Sequence, residues 1–182
     1  MDIILASGSP RRERLLRKIA HTFSVLPAKT RERLLPGEPF PRACARLARE
    51  KARAVAKKRP GAVVIGADTI AYLGKMNCRK TSSRRAARAI LLALSGKTHR
   101  VVTGVAVIFP GKKAQAYSVR AEVRMKRLTP KMLDWYMETG EWKGRAGSYD
   151  VSGKGARLVE RINGEKETVV GLPLKRLALI LK

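Results

Sequence analysis

Three stretches of the sequence combine residue types and spacing suited to phosphate chemistry. The first is Ser7-Gly8-Ser9-Pro10-Arg11-Arg12. It falls between a short apolar run, Ile3–Ala6, and a helical pattern in which Leu15, Leu16 and Ile19 share a face. A loop entering a helix offers unbonded N–H groups and the positive end of the helix dipole, which suits an anion. Two arginines in the first turn would oppose that dipole unless an anion lay between them. The plain alternative is an ordinary helix capped by Ser9, with solvated arginines.

The second stretch is Gly66-Ala67-Asp68-Thr69, which ends an apolar strand pattern at 62–66. A carboxylate at the carboxyl end of an inner strand is where open α/β sheets place functional groups. Asp68 could accept a proton from water or hold a divalent metal. Its plain alternative is a turn-forming Asp.

The third is a set of cations: Lys51, Lys75, Lys80 and Arg145. Among 40 Lys+Arg, position alone does not select any of them from solvated surface residues. Glu32 is a lone acid between Arg31 and Arg33. It is either an ion-pair partner or a second carboxylate facing a metal.

These residues need a scaffold. The pattern predicts strands at 3–6, 22–27, 62–66, 99–109 and 115–125, with closing strands at 155–162 and 168–172. Helices are expected from Ser9-Pro10 to about Ile19, and at 42–58, 82–94, 130–139 and 173–181. Gly96 stops the third, and Pro110-Gly111 turns one strand into the next as a hairpin. Strands alternating with helices imply a mixed α/β fold. With 182 residues and no internal repeat, one domain is expected, 1–182.

Apolar residues form 45% of the chain, too many for disorder. The formal charge of +26 predicts attraction to polyanions, including non-specific nucleic-acid binding. Cys44 and Cys78 form no metal-like spacing, and two free thiols in a reducing compartment are preferred over one disulfide. The N-terminus lacks the order of a signal peptide, and no run approaches the ~20 apolar residues of a membrane span. A cytoplasmic protein without a membrane partner is expected.

Read together, ILASGSPRR, LAREKA (47–52), IGADTI (65–70), LSGKTHRVVTGVAV (94–107), TGEWKGRAGSY (139–149) and VVGLPL (169–174) resemble the Maf family of nucleotide pyrophosphatases, in the family's order. The resemblance implies a Maf/ITPase-like fold: an elongated, twisted mixed sheet flanked by helices, with a cleft between two lobes sharing that sheet. It implies a divalent cation, Mg2+ or Mn2+, and a homodimer. It also implies attack of water at the α-phosphorus of a nucleoside triphosphate, releasing pyrophosphate.

Asp68 stands where the family has its proposed proton acceptor. Arg11, Thr69 and Ser152 stand at the positions linked to substrate choice. Arg and Thr at the first two are similar to the branch acting on dTTP and UTP, as are Thr98-His99 and Val102-Thr103-Gly104. The resulting expectation assigns Asp68, Lys80 and Lys51 to catalysis, and Ser7, Ser9, Arg11, Arg12, Thr69, Arg145 and Ser152 to substrate. Glu32 and Asp68 are expected at the metal.

The sequence departs from the family in places. Ser152 replaces a usual Gln, and a hydroxyl cannot span the same distance. Arg145 replaces a common Lys, exchanging a point charge for a fork. Thr168 replaces a frequent Asn, and Arg31 an acidic neighbour of Glu32. The family's Gly-Lys-Pro falls on Arg79-Lys80-Thr81 without a gap, while Gly74-Lys75 competes. Lys80 is preferred because the same spacing brings Leu94-Ser95-Gly96 into register. The high positive charge is a further departure. It keeps a second reading in view, a basic nucleic-acid-binding protein with little or no catalysis, although no recognition motif or set of stacking aromatics supports it.

Overall fold

A computed structural model describes residues 2–182. Seven strands form one mixed sheet: β1 (Ile3–Leu5), β2 (Ser24–Val25), β3 (Val63–Leu73), β4 (Met76–Asn77), β5 (Thr98–Ile108), β6 (Gln115–Met125) and β7 (Val159–Asn163). Their order is β2-β1-β3-β5-β6-β7, with β4 paired to β3. The helices are α1 (Pro10–Leu16), α2 (Phe40–Ala56), α3 (Arg84–Leu94), α4 (Pro130–Glu138), α5 (Lys166–Val170) and α6 (Leu174–Ile180). None is long and apolar enough to cross a membrane among the described residues.

The chain divides into two units. One comprises residues up to Thr69, Val102–Val119 and Gly171–Lys182; the other comprises Ile70–Val101 and Arg120–Val170. Strands β3, β5 and β6 each contribute residues to both.

In the first unit, β1 pairs in parallel with β3, Ile3 facing Val63 and Leu5 facing Ile65, and also with β2. Helix α2 buries Ala43, Leu47, Ala48, Lys51, Ala52 and Val55, a stripe at helical spacing. Ala48, Ala52 and Val55 pack with Ile4, Val64 and Ala106 in this unit's core. The stripe comes unusually close to the sheet. A Cβ built on Gly66 would lie 2.3 Å from the carbonyl oxygen of Ala48, and one on Gly104 would lie 2.2 Å from Cys44 backbone atoms. Two strand glycines are therefore what let α2 lie against β3 and β5.

In the second unit, α3 starts at Ser83, whose hydroxyl accepts from the Ala86 N–H, and α4 starts at Thr129, whose hydroxyl accepts from Met132. Leu91, Leu94, Leu133, Tyr136 and Met137 are buried with Val123, Met125 and Leu158. Gly74 and Lys75 turn β3 into β4, with Leu73 facing Met76. Strands β6 and β7 are antiparallel. Cys44 and Cys78 are free thiols, both buried.

Three expectations need correction. The strand at 62–66 is the first part of an 11-residue strand, so Asp68 lies within β3 and not at its end. Its ladder bonds continue because the alternating side chains on both faces are buried, a pattern that reads as one apolar run broken by Asp. Residues 155–162 divide into a 3-10 segment, Lys154–Leu158, and strand β7, because Gly155 and Gly153 permit a tight turn against Asp150 and Glu141. Residues 168–172 are the end of α5 and a turn, in place of the expected closing strand. The short apolar run there cannot by its period distinguish helix from strand.

Candidate active site

In the first unit, one cluster surrounds Lys51. Residues two apart on a strand share a face, so Gly66 and Asp68 both face α2. The close approach at Gly66 brings Lys51, next to Ala52, onto Asp68. Lys51 Nζ donates to Asp68 Oδ1 at 2.5 Å and to Glu32 Oε1 at 2.6 Å. Lys51 and Asp68 are almost completely buried, at 6% and 3% exposure. Glu32 reaches them from a loop and keeps about half its side chain in solvent (47%). Burying two opposite charges is tolerated because each compensates the other. The second Asp68 oxygen, Oδ2, has no hydrogen bond among the described residues, which leaves it available to water.

A second cluster forms on the opposite face of β3, one residue further on. Arg12 is buried, and every nitrogen of its guanidinium has a partner. Nε donates to the Gly171 carbonyl at 2.8 Å, one terminal nitrogen to Ser7 Oγ at 3.0 Å, and the other to Thr69 Oγ1 at 2.9 Å. Thr69 Oγ1 also shares a hydrogen bond with Thr103 Oγ1 at 2.9 Å. Burial lowers the proton affinity of Arg12, while the negative charges of Asp68 and Glu32 work in the opposite direction. The guanidinium stays charged all the same. Arg12 thus ties the Ser7–Ser9 loop to β3 and to the segment at Gly171. Ser7 Oγ also accepts from the Ser9 N–H at 3.3 Å. Arg11 is half-buried at the start of α1.

The second unit holds the other expected residues. The segment 78–81 clamps the turn that carries Arg145: Gly144 donates to the Thr81 carbonyl at 3.0 Å, and Gly147 to the Cys78 carbonyl at 2.8 Å. That backbone pairing brings Lys80 and Arg145 onto neighbouring segments. Lys80 is exposed; Lys75 is at the hairpin tip. Asp150 anchors the turn at 150–153. Its Oδ1 accepts from the Ser152 hydroxyl at 2.5 Å and from the Ser152 N–H at 3.0 Å. Its Oδ2 lies 3.2 Å from Arg145 Nε as an ion pair off the hydrogen-bond axis. The Asp150 N–H donates to the Tyr136 hydroxyl at 3.0 Å. Nearby, His99 Nε2 and the Tyr149 hydroxyl are 2.9 Å apart. Burial pushes His99 down to about 4.

Of the residues singled out from the sequence, Ser7, Ser9, Arg11, Arg12, Glu32, Lys51, Asp68 and Thr69 belong to the first unit. Lys80, Arg145 and Ser152 belong to the second. The sequence reading did not single out Asp150, Thr103 or Gly171 as site residues. Asp150 carried a signal that could have been used, being one of only 14 acids and two positions from Ser152. Thr103 and Gly171 lie in blocks that resemble the family, but their partners, Thr69 and Arg12, are distant in sequence and only the fold shows them.

Two carboxylates converge on one point beside Asp68, the Lys51 ammonium now taking that point. A pair of hard oxygen donors there suits Mg2+, which takes one or two protein carboxylates and completes its shell with water and substrate phosphate. Glu32 and Asp68 are the residues that would hold it.

The Maf-like protein family model matches residues 2–182. A protein of Aquifex aeolicus named "dTTP/UTP pyrophosphatase" is 42% identical over 182 residues, covering 100% of this chain and 95% of its own. Proteins of the same name from Anaeromyxobacter dehalogenans (strain 2CP-C) and Pyrococcus abyssi are 43% and 40% identical, each over 99% of this chain, and covered over 92% and 95% of their lengths. Among solved structures, the Staphylococcus aureus Ham1 protein has a TM-score of 0.57 at 14% identity, covering 100% of this chain and 98% of its own. A HAM1 protein from Coxiella burnetii has a TM-score of 0.56, also at 14% identity, covering the same shares. These two similarities concern the fold. The match over all but the first residue, together with relatives near 40% identity along the whole length, makes this chain a member of the Maf family.

Proposed function

We propose that this protein is a nucleoside triphosphate pyrophosphatase acting on dTTP, UTP or close analogues, cleaving the α–β phosphoanhydride to release the monophosphate and pyrophosphate. The observation that carries this reading is the buried Asp68–Lys51 pair reached by Glu32, with Asp68 Oδ2 unbonded, in a chain matched along its length by relatives of that name.

Asp68 Oδ2 accepts a hydrogen bond, and then the proton, from the attacking water. Lys51 holds Oδ1 so that the free oxygen keeps its direction. General-base help of this kind is worth roughly 100- to 10,000-fold. Arg12 fixes the Ser7–Ser9 loop and Thr69, and Arg11, at the start of α1, meets the phosphates. Lys80 and Arg145 neutralise phosphate charge, since phosphoryl transfer depends chiefly on positioning and neutralisation. Arg11, Thr69 and Ser152 favour a pyrimidine base.

A divalent cation, Mg2+ or Mn2+, held by Glu32 and Asp68 would supply charge to the phosphate oxygens. A homodimer and a cytoplasmic setting complete the reading.

Pyrophosphate release from a panel of nucleoside triphosphates, with Mg2+ and with EDTA, tests it. Release from dTTP and UTP above that from ATP and GTP, abolished by EDTA, is the expected result. No release from any nucleotide in the panel overturns it.

A further inference from the structure

The first unit carries a second recess, far from Asp68. It is a groove of about 700 Å³, walled by the carboxyl-terminal half of α2, the residues leading into β3, and the β5–β6 turn. Arg49, Arg53, Lys57, Lys112 and Lys113 line it, and no carboxylate does. All five are exposed, and none forms an ion pair among the described residues. Ala62 lines the groove and immediately precedes β3, six residues before Asp68, which separates the two by about 20 Å.

Two features make this more than an incidental share of the +26. First, Arg49 and Arg53 on one flank of α2 and Lys57 at its C-cap are four residues apart, turned away from Lys51. Like charges at this spacing weaken a helix. Arg42 and Arg46 stand at the same spacing, but Arg46 is compensated by ion pairs with Glu50 and Glu38. No acid pairs with Arg49, Arg53 or Lys57 among the described residues. Second, the three cations rise along the helix in steps of about 6 Å. That step is close to the separation of successive phosphates on an extended single strand. Phe109, partly buried, lies in the same wall and offers a face on which a base could stack.

We propose that this groove is a binding site for single-stranded nucleic acid. Arg49, Arg53 and Lys57 follow the phosphates, Lys112 and Lys113 close on them from the β5–β6 turn, and Phe109 receives a base. The site is separate from the nucleotide chemistry at Asp68, so the two can be tested independently.

The test is fluorescence anisotropy of a labelled 12-nucleotide oligouridylate with the full chain, from 50 to 200 mM salt. The variant is R53E/K113E; Glu at 53 also places opposite charges beside Arg49 and Lys57, which supports the helix. The comparison variant, R85E/K131E, makes the same change of net charge at exposed positions of the second unit. The groove variant is expected to bind at least tenfold more weakly. Its log–log salt slope should fall by roughly 1.4, two phosphate contacts at about 0.7 each. The comparison variant should lose less than threefold, and both should hydrolyse dTTP at the parental rate.

Equal losses in the two variants would assign binding to diffuse charge and overturn the proposal. Parental affinity of R53E/K113E would do the same. So would displacement of the oligonucleotide by saturating dTTP without metal, or tighter binding of a duplex of the same sequence.

Discussion

Replacing Gly66 by alanine separates the geometry of the site from its chemistry, because the added methyl touches no reacting group. The new Cβ would lie 2.3 Å from the Ala48 carbonyl oxygen and 2.8 Å from the Ala52 nitrogen, both backbone atoms of α2. Ordinary contact requires about 3.4 Å, so α2 must retreat by about 1 Å or the strand must bend. Overpacking of this kind costs about 1–3 kcal/mol. Lys51 rides on the displaced turn of α2, and its contacts with Asp68 and Glu32, at 2.5 and 2.6 Å, have little slack. A 1 Å displacement of a positioned group can cost about 100-fold in rate.

The expected outcome for Gly66→Ala is therefore a urea midpoint lowered by the equivalent of about 2 kcal/mol and dTTP turnover reduced about 100-fold in the folded enzyme. Gly61→Ala is the control. Nothing lies within 4 Å of its added methyl and its φ is ordinary, so it should be neutral or slightly stabilising. If Gly66→Ala matches the parent in both measurements, α2 does not present Lys51 to Asp68 in the way described.

Asp68→Asn keeps the shape of the side chain and removes the proton acceptor; kcat for pyrophosphate release should fall roughly 100- to 10,000-fold while the thermal transition stays within a few degrees. Lys51→Met leaves Asp68 buried without its partner, and breaking such a pair from one side costs about 3–5 kcal/mol, so this variant should unfold at markedly lower urea than Asp68→Asn. His99 is held neutral by burial, with its folded value near 4 against 6.5 in the unfolded chain. The unfolded state therefore binds the proton first: this contribution to stability is complete above about pH 6.5 and is lost as pH falls toward 4. The span is at most about 3 kcal/mol. His99→Phe should lose that share of the acid dependence, read as a smaller decrease in melting temperature between pH 7 and pH 4.5. An unchanged pH profile would place the acid sensitivity elsewhere.

Much of this protein could be read from local sequence. The stripe of Ala, Leu and Val in α2, the alternation in β6 and the caps at Ser83 and Thr129 fix elements whose periods are set by residues nearby. The ordered blocks from Ile3 to Leu174 carried the family, and with it the proposal that Asp68 is the acceptor. What remained hidden depends on pairs far apart in the chain. Whether Asp68 ended a strand or lay within one was decided by the burial of both faces of β3. Arg12 and Arg11 look equivalent as a dipeptide, yet Arg12 is used up by Ser7, Thr69 and the Gly171 carbonyl, a partner 159 positions away.

Position could not choose Lys51 from 40 cations. The tertiary structure does, because Gly66 admits α2 closely enough for one ammonium to meet two carboxylates. Asp150 likewise gains its hold on Ser152 and Arg145 only once the turns at 144–147 and 150–155 are folded. Periodicity thus determined most of the elements, and the resemblance of the ordered blocks implied the kind of chemistry. Which charges are buried, paired or left for a ligand was a matter of close approach, and that is set by packing between segments the sequence keeps apart.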